Sequence, residues 1–243
     1  MKIVISQPMY LPWPGLFDQI KNCDIFVHYD DAILPQGRSF ISRVQIKNND
    51  SLGWMSIPIK KSRIPINQVS IDNETSWKKK HIRRIKKSLE KSDFFEDVLE
   101  LVGDLEKIEF KNIGELNIHY IEKISRFLGF KTKFKVSSDY RLKLEATEKL
   151  LQISKINKAT SYITGHGARN YLCHESFEKE NIKINYMEYD ILNYSNLKQG
   201  FTPYCTILDL IGHKGKSSSE FMRSKLIYWK DFMAKNIGNL EKK

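Results

Sequence analysis

A strand–turn–helix–strand pattern in the first 31 residues constrains the fold of this chain most. Residues 2–5 form a β-branched run that stops at Gln7-Pro8, because proline cannot donate to a ladder and keeps the preceding residue extended. A helical apolar period follows over residues 16–20, and residues 25–27 form a second run of buried type. Two buried strands joined by a short helix predict a βαβ-like unit, whose ligand crevice lies after the carboxyl ends of its strands. Five polar or aromatic residues fall there: Gln7, Tyr10, Trp13, Asp30 and Asp31.

The middle of the chain predicts a hairpin and then a helical insertion. Two runs, at residues 44–46 and 54–60, flank a polar turn and predict an antiparallel hairpin. Residues 76–129 carry three amphipathic helical patterns and few groups suited to chemistry, so we interpret them as scaffold. The expected details are a cap from Ser76 or Thr75, a second pattern that continues to about residue 108, and a third that ends at Gly129.

The rest of the chain predicts a return to alternating strands and helices. We therefore predict an α/β fold with a βαβ-type N-terminal unit, a mixed sheet, a helical middle segment and a C-terminal α/β portion. A single α/β domain is expected over residues 1–235, with its helical insertion at about 76–129 and a charged tail over 236–243. The expected later strands cover 133–136, 161–164 and 182–186. One expected helix begins at Leu142 or Ala146 and ends at Ile156, another covers 204–212 and closes on Gly212, and one or two more fill the last forty residues.

The chain is strongly basic. Its 40 Lys and Arg against 29 Asp and Glu give a formal charge of +11, which attracts nucleic acid, anionic lipid or phosphorylated metabolites. Seven of these cations lie within residues 78–87, on a predicted amphipathic helix. A lysine-rich, isoleucine-rich and asparagine-rich composition of this kind also arises from an AT-rich genome, so charge alone does not choose the partner.

Cysteine and hydropathy patterns exclude several classes of protein. Cys23, Cys173 and Cys205 are far apart and odd in number, which argues against a disulfide framework and a zinc site. Cys173 is expected to be a buried structural thiol. No segment has the pattern of a signal peptide or the length of a membrane span. We expect a reduced, cytoplasmic protein with no metal; the sequence leaves its oligomeric state open.

A second candidate site lies in the loop after the predicted strand 161–164. Glycines on both sides of His166 allow the main chain to approach a ligand closely, and backbone amides at a helix start bind anions. The spacing matches neither the phosphate loop of nucleoside triphosphatases nor the dinucleotide-binding fingerprint. We expect this loop, residues 165–170, to face the opening motif across one site.

Several motifs, in order along nearly the whole chain, resemble the WbqC-like family. This resemblance implies a place in bacterial O-antigen or other surface-polysaccharide synthesis, and transfer of a small acyl unit such as glycine onto an amino sugar. The motifs are Gln7-Pro8-x-Tyr10-x-Pro12-Trp13-x-Gly15-x-Phe17, the pair Asp30-Asp31, Trp54-x-x-Ile57-Pro58-Ile59, Trp77-x-x-Lys80-His81, Gly165-x-Gly167-Ala168-x-Asn170-Tyr171-Leu172 and Ile207-Leu208-Asp209-Leu210.

Five residues are candidates for catalysis. Asp30 or Asp31 would accept a proton from the sugar ammonium, although adjacent aspartates at a strand end also cap turns. Gln7 would bind hydroxyls or a carbonyl, or serve only the turn. His81 shares a helix face with Trp77, yet a solvent-facing histidine is the commoner case. His166 completes the catalytic set.

The substrate-binding candidates form three groups. The two aromatic candidates of the opening loop would stack on a sugar or a base, or merely pack. Three cations would clamp a diphosphate, because arginine binds phosphate oxygens bidentately. Backbone and amide groups of the second loop would complete the site. The residues are Tyr10 and Trp13; Arg43, Lys60 and Arg63; and Gly165, Gly167 and Asn170.

These residues lead to one function hypothesis and two alternatives. We expect a transferase that N-acylates a nucleotide-linked amino sugar, with an activated acyl donor that is either an aminoacyl-tRNA or a thioester. A tRNA or other polyanion as partner would give the basic helix an electrostatic purpose. The alternatives are a nucleotidyl or other group transferase, and a non-catalytic subunit that binds a sugar nucleotide or RNA.

Overall fold

A six-stranded sheet forms the centre of the molecule. The computed structural model describes residues 1–37, 39–48, 51–60, 63–194 and 202–240. The sheet contains β1 (Lys2–Ser6), β2 (Ile25–His28), β5 (Lys133–Val136), β6 (Ser161–Thr164), β7 (Lys183–Glu188) and β8 (Lys225–Tyr228), and a separate hairpin contains β3 (Arg43–Asn48) and β4 (Ser51–Ser56). The α-helices are α1 (Pro14–Lys21), α2 (Trp77–Leu89), α3 (Phe95–Val102), α4 (Ile113–Phe127), α5 (Ala146–Ile156), α6 (His174–Lys179), α7 (Ile207–Lys214) and α8 (Trp229–Leu240).

The order of the strands defines a doubly wound sheet. Across the sheet the strands run β5-β2-β1-β6-β7-β8, and all pairs are parallel except β7 with β8. Numbered along the chain, this order is 3-2-1-4-5-6, which reverses direction between β1 and β6. The predicted α/β class, the βαβ-type N-terminal unit and the mixed sheet are confirmed.

Helices cover both faces of this sheet. Val4 and Phe26 point to one face, where they pack with α1, α2, α3, α4 and α7. Ile3 and Ile25, one position earlier on the same strands, point to the other face and pack with α5, α6 and α8. Because both faces are buried, the central strands β1 and β2 carry continuous apolar runs, and this is why these two strands can be predicted from the sequence.

Two predicted helix ends were wrong. Helix α3 ends at Val102, before residue 108, because Asp104 follows it and accepts hydrogen bonds from Tyr120 and Lys123 of α4. Helix α7 passes through Gly212 and ends at Lys214, and Gly215, with a φ of 52°, provides the left-handed stop.

Four further expectations are corrected by the structure. Ser76 precedes α2, but its side chain makes no capping hydrogen bond. Cys173 is exposed at the start of α6, whereas the other two cysteines are buried. The last forty residues contain β8, a strand that pairs with β7 and was not predicted. Helix α8 extends to Leu240 and thus includes part of the predicted tail, of which residues 241–243 lie outside the described residues.

Candidate functional site

A large cavity lies where the strand order reverses. Helix α1 follows β1 onto one face of the sheet, and α6 follows β6 onto the opposite face. The loops after β1 and β6 therefore diverge and leave a crevice at the carboxyl ends of the two strands. The cavity in this crevice has a volume of about 1130 Å³ and is lined by residues of both loops, which matches the size of small-molecule sites.

Aromatic side chains are prominent in the cavity wall. The Trp13 ring lies with its centroid 4.8 Å from that of Tyr189 and 5.5 Å from that of Tyr204. Glu188 and Lys235 are the charged residues among the described lining, and they pair with each other at 2.9 Å. The cavity suits flat or apolar faces with a few hydrogen-bonding groups. Its other aromatic residues are Tyr29, Phe40, Tyr171 and Phe232, and its other polar side chains are Ser6, Gln7, Gln19, Thr164 and His166.

The loop after β1 is fixed from the helical insertion. Asn117, fully buried on α4, donates to the carbonyls of Pro8 at 3.0 Å and Ile41 at 2.8 Å. Leu11 has a φ of 40°, a left-handed conformation that a branched residue adopts only when its surroundings hold it there. The insertion that we interpreted as scaffold therefore positions the opening motif.

Tyr10 and His81 belong to this support and not to the described cavity lining. The Tyr10 hydroxyl lies 2.9 Å from His81 Nδ1, and both side chains are buried. Burial lowers the pKa of His81 from 6.5 to about 4, while a hydrogen bond with the Ser56 backbone opposes the shift. Burial also raises the pKa of Tyr10, so the hydroxyl remains protonated and donates to a neutral imidazole.

The loop after β6 brings His166 to the cavity. Residues 166–170 form a 3-10 turn, where the sequence predicted the opening of a helix. His166 Nε2 lies 2.7 Å from the Met187 carbonyl, which can only accept; in the neutral ring Nε2 therefore carries the proton and Nδ1 does not. Gly165 is required by close packing, since a Cβ there would lie 2.9 Å from the Tyr189 hydroxyl. That hydroxyl also accepts from Gln19 at 2.5 Å.

The aspartate pair is engaged with other side chains and is not part of the described cavity lining. Asp30 is 4% exposed, and its carboxylate accepts from Asn67 at 2.9 Å and from both the amide and the hydroxyl of Ser138. Asp31 forms a salt bridge of 2.5 Å with Lys149, whose side chain is 7% exposed. The pair therefore ties the end of β2 to β5 and α5, while the preceding residue, Tyr29, reaches the cavity.

The remaining predicted site residues differ in whether they line the cavity. Arg43 does not line it, but its guanidinium carbon lies 3.9 Å from the centre of the Trp54 ring. Lys60, Arg63 and Asn170 are exposed and lie outside the described lining. The predicted residues that meet at the cavity are Gln7, Trp13, Gly165, His166 and Gly167.

Several lining residues were not predicted. Tyr189 and Tyr204 come from the segment after β7, and Phe40 from the loop before β3. Gln19 is a further lining residue that was not predicted. Its position one turn beyond Gly15 on the first helix places it near the opening motif, but a glutamine on a short helix is usually solvated.

Within residues 1–37, 39–48, 51–60, 63–194 and 202–240, no group of three or more His, Cys, Asp or Glu side chains is arranged to hold a metal ion. The helices of the same ranges include none with the length and apolar character needed to cross a membrane.

The fold and the cavity define an α/β protein with a doubly wound, mostly parallel sheet and an aromatic ligand crevice at its switch point. The chain belongs to the WbqC-like protein family, whose model matches residues 7–221. It is similar to the uncharacterized protein Rv1507c of Mycobacterium tuberculosis (strain ATCC 25618 / H37Rv), with 31% identity over 227 residues that cover 91% of this chain and 97% of the relative. No solved structure gives a significant match.

Proposed function

We propose that this protein is a transferase that N-acylates a nucleotide-linked amino sugar, with glycine or a similar small acyl unit, in O-antigen or other surface-glycan synthesis. The position and chemistry of the cavity carry this proposal. It lies at the switch point of a 3-2-1-4-5-6 sheet, where folds of this type bind nucleotides, and its walls combine ring faces with hydrogen-bonding groups.

The cavity wall supports recognition of a sugar or a base by stacking. Trp13, Tyr189 and Tyr204 offer ring faces, and the Gln7 amide can exchange hydrogen bonds with hydroxyls or a carbonyl. The charged groups of the described lining already pair with each other, so a diphosphate is expected at the mouth. Arg43 is suited to meet it there, because it stacks on Trp54, which contacts the lining residue Phe40.

His166 is the proposed general base. Its Nε2–H is held by the Met187 carbonyl, so Nδ1 is the nitrogen that can take a proton from the sugar ammonium. The ring packs beside Tyr189 and Phe232, which fixes its orientation in the cavity. The free amine is then the nucleophile that attacks the acyl carbonyl. Asp30 and Asp31 take a structural part in this proposal, because their oxygens bind Ser138, Asn67 and Lys149.

A direct test uses two sugar nucleotides that differ only at the amine. The protein is incubated with UDP-glucosamine or UDP-N-acetylglucosamine and with glycyl-tRNA or a glycyl thioester, and products are read by mass spectrometry. A glycyl adduct on the free amine alone supports the proposal. His166→Ala should lose turnover and retain UDP binding, whereas His213→Gln, a half-buried change on α7, should retain both. Absence of any adduct with all pairs, with the surface glycan unchanged in a gene-deletion strain, would refute it.

A non-catalytic subunit that binds a sugar nucleotide is the second candidate. It is favoured by the engagement of both aspartates, which leaves His166 as the titratable candidate in the cavity. Tight UDP-sugar binding by the wild type and by His166→Ala, without any turnover, would support this reading. A nucleotidyl or other group transferase would instead change the nucleotide in the same mass spectra.

A further inference from the structure

A basic and aromatic surface leads from the outer face of α2 to the mouth of the cavity. We call it the hairpin–helix surface, since the β3–β4 hairpin and α2 both contribute to it. Its two exposed rings belong to Phe40, which is 44% accessible, and Trp54, which is 36% accessible. The surface comprises Phe40, Arg43, Trp54 and Arg84, together with the exposed cations Lys79, Lys80, Arg83, Lys86 and Lys87.

Helix α2 carries a dense positive charge. The helix has seven Lys or Arg and no acidic residue among its 13 residues. None of the salt bridges formed between described residues involves one of these seven cations. Lys79, Arg83 and Lys86 follow one another at helical spacing and are exposed, so they present one positive stripe to solvent. A stripe of this kind fits the regularly spaced phosphates of a polyanion.

The two exposed rings are connected to this stripe. Phe40 and Trp54 have centroids 5.8 Å apart, and the Arg43 guanidinium carbon lies 3.9 Å from the Trp54 ring centre. Arg84, on α2, donates to the Trp54 carbonyl at 2.8 Å. Gly53 leaves the space for this contact, because a Cβ there would lie 1.8 Å from the guanidinium. The hairpin and the helix therefore form one continuous surface.

One of these two rings also reaches the cavity. Phe40 lines the cavity and contacts Trp54, so the two rings connect the positive stripe of α2 to the crevice. Aromatic faces beside a positive groove are how proteins hold unpaired nucleotides, with bases on rings and phosphates on cations. An anionic membrane would match the charge equally well, but it has no end that could enter a crevice behind the aromatic rings.

We propose that the hairpin–helix surface binds the unpaired 3′ end of a tRNA, with its phosphates on α2 and its bases on Trp54 and Phe40. The terminal ribose then reaches the cavity. This assignment deepens the proposed function and rests on it for one point: the acyl donor is an aminoacyl ester of tRNA.

The chemistry of this donor balances without a further reactant. The nitrogen of the sugar amine attacks the ester carbonyl carbon and forms an N–C bond, and the C–O bond to the terminal ribose breaks. The ribose oxygen keeps the electron pair and takes up a proton from the protonated His166. The new amide nitrogen gives its extra proton to the same imidazole, which releases it to solvent. No oxidation or reduction occurs, and the ester already carries the activation that amide formation requires.

Binding of a hairpin RNA with an unpaired ACCA end, measured by fluorescence anisotropy against salt, tests the surface. Changing Lys79, Arg83 and Lys86 together to Gln should weaken binding by about tenfold or more and reduce the slope of log affinity against log salt by about 2 to 3. The matched control changes three exposed lysines in and beside the edge strand β5 to Gln, with the same loss of charge, and should leave both quantities unchanged. These controls are Lys131, Lys133 and Lys143.

Stacking is tested separately. Trp54→Leu should weaken binding of the ACCA-ended RNA about 5-fold to about 150-fold, and Trp54→Phe should retain most of the affinity. A blunt-ended RNA should bind as weakly to the wild type as the ACCA-ended RNA binds to Trp54→Leu. Equal effects of the two triple variants, no effect of Trp54→Leu, or binding only to phosphatidylglycerol vesicles would each overturn the proposal.

The outcomes also separate this inference from the proposed function. Glycyl transfer from a thioester to UDP-glucosamine, without RNA binding, would overturn the RNA surface and keep the transferase. Surface-dependent RNA binding that never yields a glycyl sugar would support the surface and count against the transferase.

Discussion

The stability of the protein should fall steeply in mild acid because of one histidine. His81 is 6% exposed and its pKa is lowered to about 4, chiefly by burial, against 6.5 in the unfolded chain. Between these values the unfolded state binds a proton that the folded state does not, so lowering the pH favours unfolding. At about 1.4 kcal/mol per pKa unit, His81 alone should remove about 3 kcal/mol of folding free energy between about pH 7 and about pH 4.

The measurement compares urea unfolding of the wild type with that of His81→Gln. Gln retains an acceptor for the Tyr10 hydroxyl but does not titrate, so its stability should depend less on pH. The difference between the two proteins isolates His81 from the carboxylates that also titrate in this range. If both proteins lose the same free energy over this pH range, or if NMR titration places the His81 pKa near 6.5, the reasoning is refuted.

Three substitutions test the supports of the cavity. Asn117→Ala should lower the free energy of unfolding by about 2 to 6 kcal/mol, because two buried carbonyls lose their donor; urea denaturation measures this, and a loss below about 1 kcal/mol would contradict the clamp. Asp30→Asn should lower the free energy of unfolding by about 1 to 3 kcal/mol in the same assay, and the fraction that stays folded should retain turnover. If turnover were lost while the free energy of unfolding stayed unchanged, the carboxylate would be catalytic. Gly15→Ala places a Cβ 2.1 Å from the Trp13 ring, so the indole must leave the wall and UDP-sugar affinity should fall about tenfold by calorimetry. Circular dichroism checks that Gly15→Ala is folded, and unchanged UDP-sugar affinity of the folded variant would exclude Trp13 from binding.

Local patterns were sufficient for the elements that depend on nearby residues. The first βαβ unit, the β3–β4 hairpin and α4 were predicted from apolar period and turn residues, and the structure confirms that these elements exist. The bounds predicted for the second hairpin strand, 54–60, were wrong, because β4 covers Ser51–Ser56. Strand β8 was not predicted, since three of its four residues are only half-buried, Lys225 is exposed, and its state depends on pairing with β7. Element type can be read locally when the period is long, and cannot when a distant partner decides it.

The site shows the same division. The opening motif and the 165–170 loop were predicted to face each other, and Gln7 and His166 do line one cavity. The prediction did not anticipate that Asp31 is neutralised by Lys149, 118 positions later, or that His81 faces inward to Tyr10. A polar residue on an amphipathic helix is expected to face solvent, and only its packed neighbours show otherwise.

The sequence by itself determined the α/β class, the basic character of α2 and the motifs of the WbqC-like family, because these depend on composition and on spacing along the chain. The tertiary structure decided which polar residues share the cavity. The chain leaves β1 toward one face of the sheet and β6 toward the other, and this opens a crevice between the two loops. The carboxylates of Asp30 and Asp31 bind side chains that are distant in sequence, such as Lys149, and do not line the crevice.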